Sequence, residues 1–220
     1  MQLEGFQHSN GEAVTLYPTD QRILEKLNAT IEKMNKHLDN YEYGLAKIAF
    51  EEFFRADFCD NYLELIKVRL YQPERFENGE EKKKSGQQIL HFVFSTIIKL
   101  IAPYLPHITE EIYQDYFRGE MHSLHRTAYP TPFRKGEVPQ YCGTGDLLNK
   151  MQITLQIVDQ VRRYKSESQI SMGAEVSKLI ISASEEQKNA IQLFEDDVKG
   201  VTKAKEIEWK EGELDVECVL

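Results

Sequence analysis

The stretch FEEFFRADFCDNYLELIK, residues 50–67, decides the fold. Its apolar residues recur at three- and four-residue steps, which is the period of an α-helix with one buried face. The apolar positions are Phe50, Phe53, Phe54, Phe58, Cys59, Tyr62, Leu63, Leu65 and Ile66. The remaining face carries Asp57, Asp60, Asn61 and Glu64. The stretch therefore predicts a core-forming helix with a polar stripe of acids and one amide.

The chain on both sides of this stretch keeps the helical period. Helices are predicted over residues 18–40, 43–71, 87–102, 106–117 and 146–164. Residues 73–86 are polar, contain Gly79 and Gly86, and predict an exposed loop. Residues 119–145 contain three prolines and predict an irregular excursion over the surface of the bundle.

After residue 170 the period changes. Strands are predicted over residues 176–183, 203–209 and 214–220, with a short helix from a capping box at Ser184 to about residue 194. A Glu211-Gly212-Glu213 turn is expected to join the last two strands. We therefore predict a mainly α fold. Its parts are a linker from an upstream domain over residues 1–17, a helical bundle over 18–170 and a small C-terminal α/β subdomain over 171–220.

The 220 residues carry a net charge of −9. This charge disfavours a dedicated nucleic-acid binder, because neutralising phosphates needs clustered Lys and Arg, but it is compatible with a local basic patch. Three distant cysteines argue against a disulfide framework and favour a reducing compartment. The sequence has no signal-peptide pattern and no apolar run of roughly 18 residues. We expect a cytoplasmic protein without a membrane segment.

Catalytic motifs are absent from the sequence: there is no P-loop, GxGxxG, HExxH or GxSxG. His122 and His125 lack a third neighbouring ligand, so a surface loop is favoured over a metal site. We expect no catalytic residue, metal or cofactor in this chain. Basic clusters lie at Lys82, Lys83 and Lys84, at Lys67, Arg69 and Arg75, and at Arg162, Arg163 and Lys165. From the residues alone, the chain is a binding or scaffolding module.

Two segments carry a family resemblance. FFRADFCDNYLELIK at 53–67 and YLPHITEEIYQ at 104–114 resemble the anticodon-binding helical domain of class Ia aminoacyl-tRNA synthetases. The run at 58–65 looks most like the valyl enzymes, whereas the segment at 102–111 is also typical of isoleucyl and leucyl enzymes. The signatures HIGH and KMSKS are absent. The resemblance implies a C-terminal fragment whose catalytic domain, with its ATP and magnesium sites, lies upstream.

The resemblance implies recognition of the valine tRNA anticodon by this chain, and ligation of valine to that tRNA by the parent enzyme. Splayed bases are read by amide hydrogen bonds and Arg stacking, and phosphates are bound by Lys or Arg. The candidate RNA-binding residues are Arg55, Asn61, Lys67, Arg69, Arg162, Arg163 and Lys165. The family usually has Trp where this chain has Arg55 and Asn61, which removes any stacking that those Trp rings provide.

The acidic residues in the stretch at 50–67 are not expected to bind RNA. We expect Asp57, Asp60 and Glu64 to pair with lysines of the first helix, because phosphates repel carboxylates. We also expect a monomer. Two alternatives remain at this point: a fragment of an isoleucyl or leucyl enzyme, and a synthetase-derived protein-interaction bundle, which the negative charge would suit.

Overall fold

The computed structural model describes residues 16–117, 122–134 and 146–219. Most of the predicted linker, and parts of the predicted excursion at 119–145, lie outside the described residues. The described chain forms a helical bundle followed by a small α/β subdomain, as predicted. Within the described ranges, no helix is long and apolar enough to cross a membrane.

The bundle consists of helices that follow the predicted apolar periods. They are α1 (Pro18–Asp39), α2 (Tyr43–Glu52), a π-helical segment (Phe53–Leu63), α3 (Glu64–Tyr71), α4 (Gly79–Ile101), α5 (Pro106–Tyr116) and α6 (Asp146–Glu167). Proline stands at the first turn of α1 and of α5, where its missing N–H costs no hydrogen bond. The predicted helices at 18–40, 106–117 and 146–164 are confirmed.

The helix predicted over 43–71 is present, but its centre is π-helical. Along one side of it the rings of Phe50, Phe54, Phe58 and Tyr62 stack in sequence, with centroids 5.7, 6.0 and 6.2 Å apart. This ladder packs in the main core against apolar residues of α1, among them Ile23 and Leu27. The aromatic arc is therefore the principal packing surface of the bundle.

The prediction of a loop over residues 73–86 is wrong for its second half, because α4 already begins at Gly79. Ser85 and Gly86 are buried in this helix. A Cβ atom at Gly86 would lie 3.3 Å from Cδ2 of Leu70, so this glycine permits close packing of α4 on α3. The glycines and charges that suggested a loop are instead the contact surface and the solvated surface of a helix.

The α/β subdomain contains β1 (Val176–Ala183), α7 (Glu185–Gln192), α8 (Glu195–Thr202), β2 (Ala204–Glu211) and β3 (Asp215–Val219). The capping box at Ser184 is confirmed. The predicted short helix is followed by α8, which the prediction missed. The two strands after α8 follow each other directly in the chain, but they do not pair with each other.

Instead, the strand order is β2-β1-β3. Strand β1 runs parallel to β2 and antiparallel to β3. It takes the centre because its Leu179 and Ile181 are fully buried, whereas β2 and β3 carry many charges, which suits edge strands. The subdomain shares a core with the bundle, in which Leu65 of α3 and Val161 of α6 meet Phe194. The two parts therefore pack as one unit.

Candidate nucleic-acid interface

A cleft of about 570 Å³ lies where the bundle meets the α/β subdomain. Its walls come from α3, α6, the end of α8 and the turn at residues 172–173. The lining residues are Glu64, Lys67, Val68, Val158, Val161, Arg162, Lys165, Met172, Gly173, Gly200, Val201, Thr202 and Lys203. Four cations and one carboxylate give this cleft a net charge of +3, in a chain whose net charge is −9.

Two of the predicted RNA-binding residues lie at the mouth of the cleft. Lys67 is exposed on α3, and its Nζ pairs with Glu64 Oε1 at 3.1 Å. Arg162 of α6 donates from one terminal nitrogen to the Asp60 carbonyl at 3.1 Å and from the other to Asp159 at 3.3 Å. Arg162 therefore ties α6 to the π-helical segment while its half-buried guanidinium lines the cleft.

Lys165 lines the same cleft but is only 2% exposed. Its Nζ donates to three backbone carbonyls, those of Met172, Ala174 and Thr202, at 3.2, 2.7 and 2.9 Å. Burial lowers the pKa of this ammonium. Because its three protons are all engaged, Lys165 has none left for a phosphate. Its expected role as an RNA contact is corrected: it holds the 172–174 turn against the end of α8.

Arg69 is fully buried, so its expected role as an RNA contact is also corrected. Its guanidinium lies 3.0 Å from Asp20 of α1 and 2.8 Å from Asp197 of α8. Tyr62 and Ser85 donate further hydrogen bonds to Asp20. An RNA phosphate cannot reach this site. Arg69 joins three helices in the interior, and sequence reasoning missed this because its partner Asp20 is 49 residues away.

The charges in this buried network shift one another. Burial is the largest effect on Asp197 and raises its pKa to about 6, although Arg69 and the hydroxyl of Thr19 oppose that shift. Burial alone would lower the pKa of Arg69, but Asp197 and Asp20 together raise it above its usual value. Arg69 therefore stays charged, whereas the pKa of Asp197 is raised toward neutral pH.

The remaining predicted site residues lie outside the lining of the cleft. Arg55 and Arg163 are exposed, and neither side chain makes a hydrogen bond or ion pair with any residue that the structure describes. Asn61 is half-buried, and its amide nitrogen donates to the Ala56 carbonyl at 2.8 Å. These three stay predictions as RNA contacts, and both arginines are free to make them.

The acids of the polar stripe have mixed outcomes. Asp57 contacts Arg22 at 2.7 Å and Lys26 at 3.6 Å, both on α1, so its expected pairing with that helix is confirmed. The expectation for Glu64 is wrong, because its partner is Lys67, one turn along the same helix. In the described parts of the chain, no group of three or more His, Cys, Asp or Glu residues could hold a metal ion.

One cation of the cleft was missed by sequence reasoning. Lys203 follows α8 directly and has a left-handed backbone, with φ of 61°. The sequence pattern placed it in a strand because α8 was not predicted. The signal that was available is the run of Glu195, Asp196 and Asp197, since acids favour the first turn of a helix.

The cleft beside the helical bundle gathers cations, an arrangement that suits an anionic ligand. Residues 20–181 match the model of the family described as the anticodon-binding domain of tRNA ligase. The chain belongs to that family.

Its curated relatives include valine–tRNA ligases. Identity is 37% to the ligase of Wolbachia sp. subsp. Brugia malayi, over 87% of this chain and 21% of that protein. Identity to the ligase of Methanopyrus kandleri is 32%, over 93% of this chain and 21% of that protein. Identity to the ligase of Aquifex aeolicus is 31%, over 88% of this chain and 17% of that protein. The chain thus spans about a fifth of the length of these relatives. The resemblance to the valyl type is confirmed.

Proposed function

We propose that this chain binds the anticodon stem-loop of valine tRNA. The observation that carries the proposal is the excess of positive charge in this cleft, in a chain whose net charge is −9. Phosphate binding requires clustered cations, and Lys67, Arg162 and Lys203 lie together in the lining of this cleft. The valine–tRNA ligases among the relatives support valine as the amino acid served.

Different residues serve phosphates and bases in this proposal. Lys67 and Arg162 contact backbone phosphates at the mouth of the cleft, where Arg can bind two oxygens at once. Arg55 and Arg163 have free guanidinium planes, on which an unstacked base can lie. Asn61 offers its amide oxygen as an acceptor for a base edge, since its nitrogen is already bonded to Ala56.

The role of the whole protein is a proposal as well. Because its relatives are valine–tRNA ligases, we propose that the whole protein is an ATP-dependent ligase that joins valine to its tRNA. ATP and magnesium would bind in the catalytic domain, and the residues of this chain would hold the tRNA without taking part in the chemistry. A monomer in the cytoplasm suits this role.

Filter binding of the 220-residue chain to radiolabelled tRNA tests the proposal. We expect valine tRNA to bind about tenfold or more tightly than the same transcript with altered anticodon bases, because each stacked or read base contributes about 1–3 kcal/mol. Equal affinities would count against anticodon reading. Absence of binding even at low salt would contradict the RNA-binding proposal and would favour the protein-interaction alternative.

A further inference from the structure

A second cleft, of about 470 Å³, lies on the other side of the α8 C-terminus. Its lining contains four cations and two carboxylates: Arg75, Lys199, Lys203 and Lys205, with Glu175 and Asp196. Both clefts have Val68, Gly200 and Lys203 in their walls. The two cationic clefts are therefore adjacent, and they meet at the end of α8 and at Val68 of α3.

The end of α8 forms a ridge between the two clefts, and at Gly200 this ridge packs closely against α3. A Cβ atom at this position would lie 3.2 Å from Cβ of Val68, so the missing side chain lets α8 lie close against α3. Lys203 stands at the end of the ridge and contributes to both clefts. Of the residues that the structure describes, Lys203 is the one basic residue that lines both clefts.

The other charges around the second cleft are largely paired within the chain. Lys205 pairs with Glu175 at 2.9 Å, and Lys199 pairs with Glu195 at 2.6 Å. Asp196 accepts a hydrogen bond from Tyr17 and also pairs with Lys82. Lys203, by contrast, forms no hydrogen bond through its side chain and no ion pair with any residue that the structure describes. It is a half-buried cation without a carboxylate partner there.

The backbone of Lys203 is also unfavourable for a lysine. It occupies the position after α8 in the left-handed conformation, with φ of 61°, where glycine is the usual residue. A favourable interaction with the helix dipole does not require this position, because Lys199 already lies in the last turn of α8. The backbone of Lys203 is engaged within the chain, because its N–H donates to the Lys199 carbonyl and its carbonyl accepts from the N–H of Val176. Its side chain, which has no partner among the described residues, is available to a ligand outside the chain.

We propose that Lys203 binds an RNA phosphate, and that the two clefts it joins form one continuous track for a sugar–phosphate backbone. The proposal rests on the proposed function and extends it to a residue and a second cleft that the family resemblance did not indicate. Lys67 and Arg162 contact the strand on one side of the ridge. Arg75 contacts it on the other, and Lys203 binds the phosphate between them.

Lys203→Gly tests this inference, because it removes the ammonium and relieves the backbone strain at the same time. We expect the thermal midpoint to stay constant or to rise by up to about 3 °C. The affinity for valine tRNA should fall roughly three- to tenfold at low salt. The slope of log K against log salt concentration should become shallower by about 0.7–0.9, which corresponds to one lost phosphate contact.

Two variants serve as matched controls. Gln169→Gly relieves the backbone strain at another left-handed residue, which has φ of 56°, and it removes no charge. Lys36→Gln removes an exposed cation about 25 Å along α1 from its contact with α8. Both should bind tRNA with native affinity and salt slope. Lys203→Asn, which tolerates the left-handed conformation, repeats the main test with a different side chain.

The outcomes separate this inference from the proposed function. Native affinity and salt slope in both Lys203 variants, while the unaltered chain binds tRNA, would overturn the inference alone. Weaker binding accompanied by a lower thermal midpoint in both variants would also overturn it, because Lys203 would then act through stability. If the unaltered chain binds no tRNA, the proposed function fails and this inference fails with it.

Discussion

Arg69 stands between two carboxylates, Asp20 and Asp197, and none of the three side chains has solvent exposure. One guanidinium cannot neutralise two anions, so one carboxylate gains from protonation. Removing Arg69 would leave both acids buried without a cation, an arrangement that costs about 3–5 kcal/mol in other proteins. The contacts of Arg69 with Asp20 and Asp197 therefore stabilise the packing of α1, α3 and α8.

The first prediction at this scale concerns pH. Because burial raises the pKa of Asp197 to about 6, above its unfolded value of 3.8, the folded chain binds more protons than the unfolded chain between these pH values. The stabilisation from this group is therefore complete below about pH 4 and is lost as the pH rises through 6. It amounts to a value on the order of 3 kcal/mol.

Asp197→Asn should remove this dependence. Urea denaturation at several pH values measures the free energy of unfolding, and the advantage of the native chain over the variant should shrink by about 3 kcal/mol from pH 4 to pH 7. Asp115→Asn, on the exposed side of α5, is the control for removing a carboxylate. Parallel stability curves for the native chain and Asp197→Asn would show that the shift is absent.

At the scale of single elements, the start of α4 depends on one glycine. A Cβ atom at Gly79 would overlap the backbone carbonyl oxygen of Pro73, and backbone cannot move aside as a side chain can. Gly44 lies in α2 with no atom within 4 Å of its hypothetical Cβ. The two glycines therefore form a matched pair with opposite expected effects.

Gly79→Ala should destabilise the chain by about 2 kcal/mol or more, because the first turn of α4 must shift. Gly44→Ala should stabilise it by about 0.5–1 kcal/mol, because Ala loses less backbone entropy than Gly in a helix. Chemical denaturation of both variants measures the two changes. A stability loss of the same size in both would mean that the packing at Gly79 is not specific.

Elements with a clear period could be predicted from the sequence. Helix α1 and the chain segment around Phe58 follow from apolar spacing alone, and β1 follows from its β-branched run. Helix α4 was predicted too short because Gly79 and Gly86, which usually mark loops, here allow helices to approach closely. Pairing of β3 with β1 could not be read from spacing, because strand order depends on which strand can be buried.

At the scale of the whole molecule, the candidate site depends on which cations the fold exposes. Sequence clusters indicated the ends of α3 and α6, and Lys67 and Arg162 from these two clusters line the same cleft. Burial decided the rest: Arg69 and Lys165 are inside and engaged, while Lys203 reaches the cleft from a helix that was not predicted. The clusters of basic residues could be predicted from the sequence, but the exposure of each basic side chain could not.

The central claim is that tRNA binds at the cationic cleft between the bundle and the α/β subdomain. The most direct test is the salt dependence of valine tRNA binding to the double variant Lys67→Gln/Arg162→Gln. The double variant Lys36→Gln/Lys47→Gln, with the same loss of charge on other surfaces, is its control. The thermal midpoint of each variant checks the fold.

We predict that the cleft variant binds tRNA at least tenfold more weakly at low salt. Its slope of log K against log salt concentration should be shallower by about 1.4–1.8, the effect of two lost phosphate contacts. The control variant should retain native affinity to within about twofold, since screened charges far from the RNA contribute little. Native affinity and slope in the cleft variant, with its fold intact, would contradict the claim.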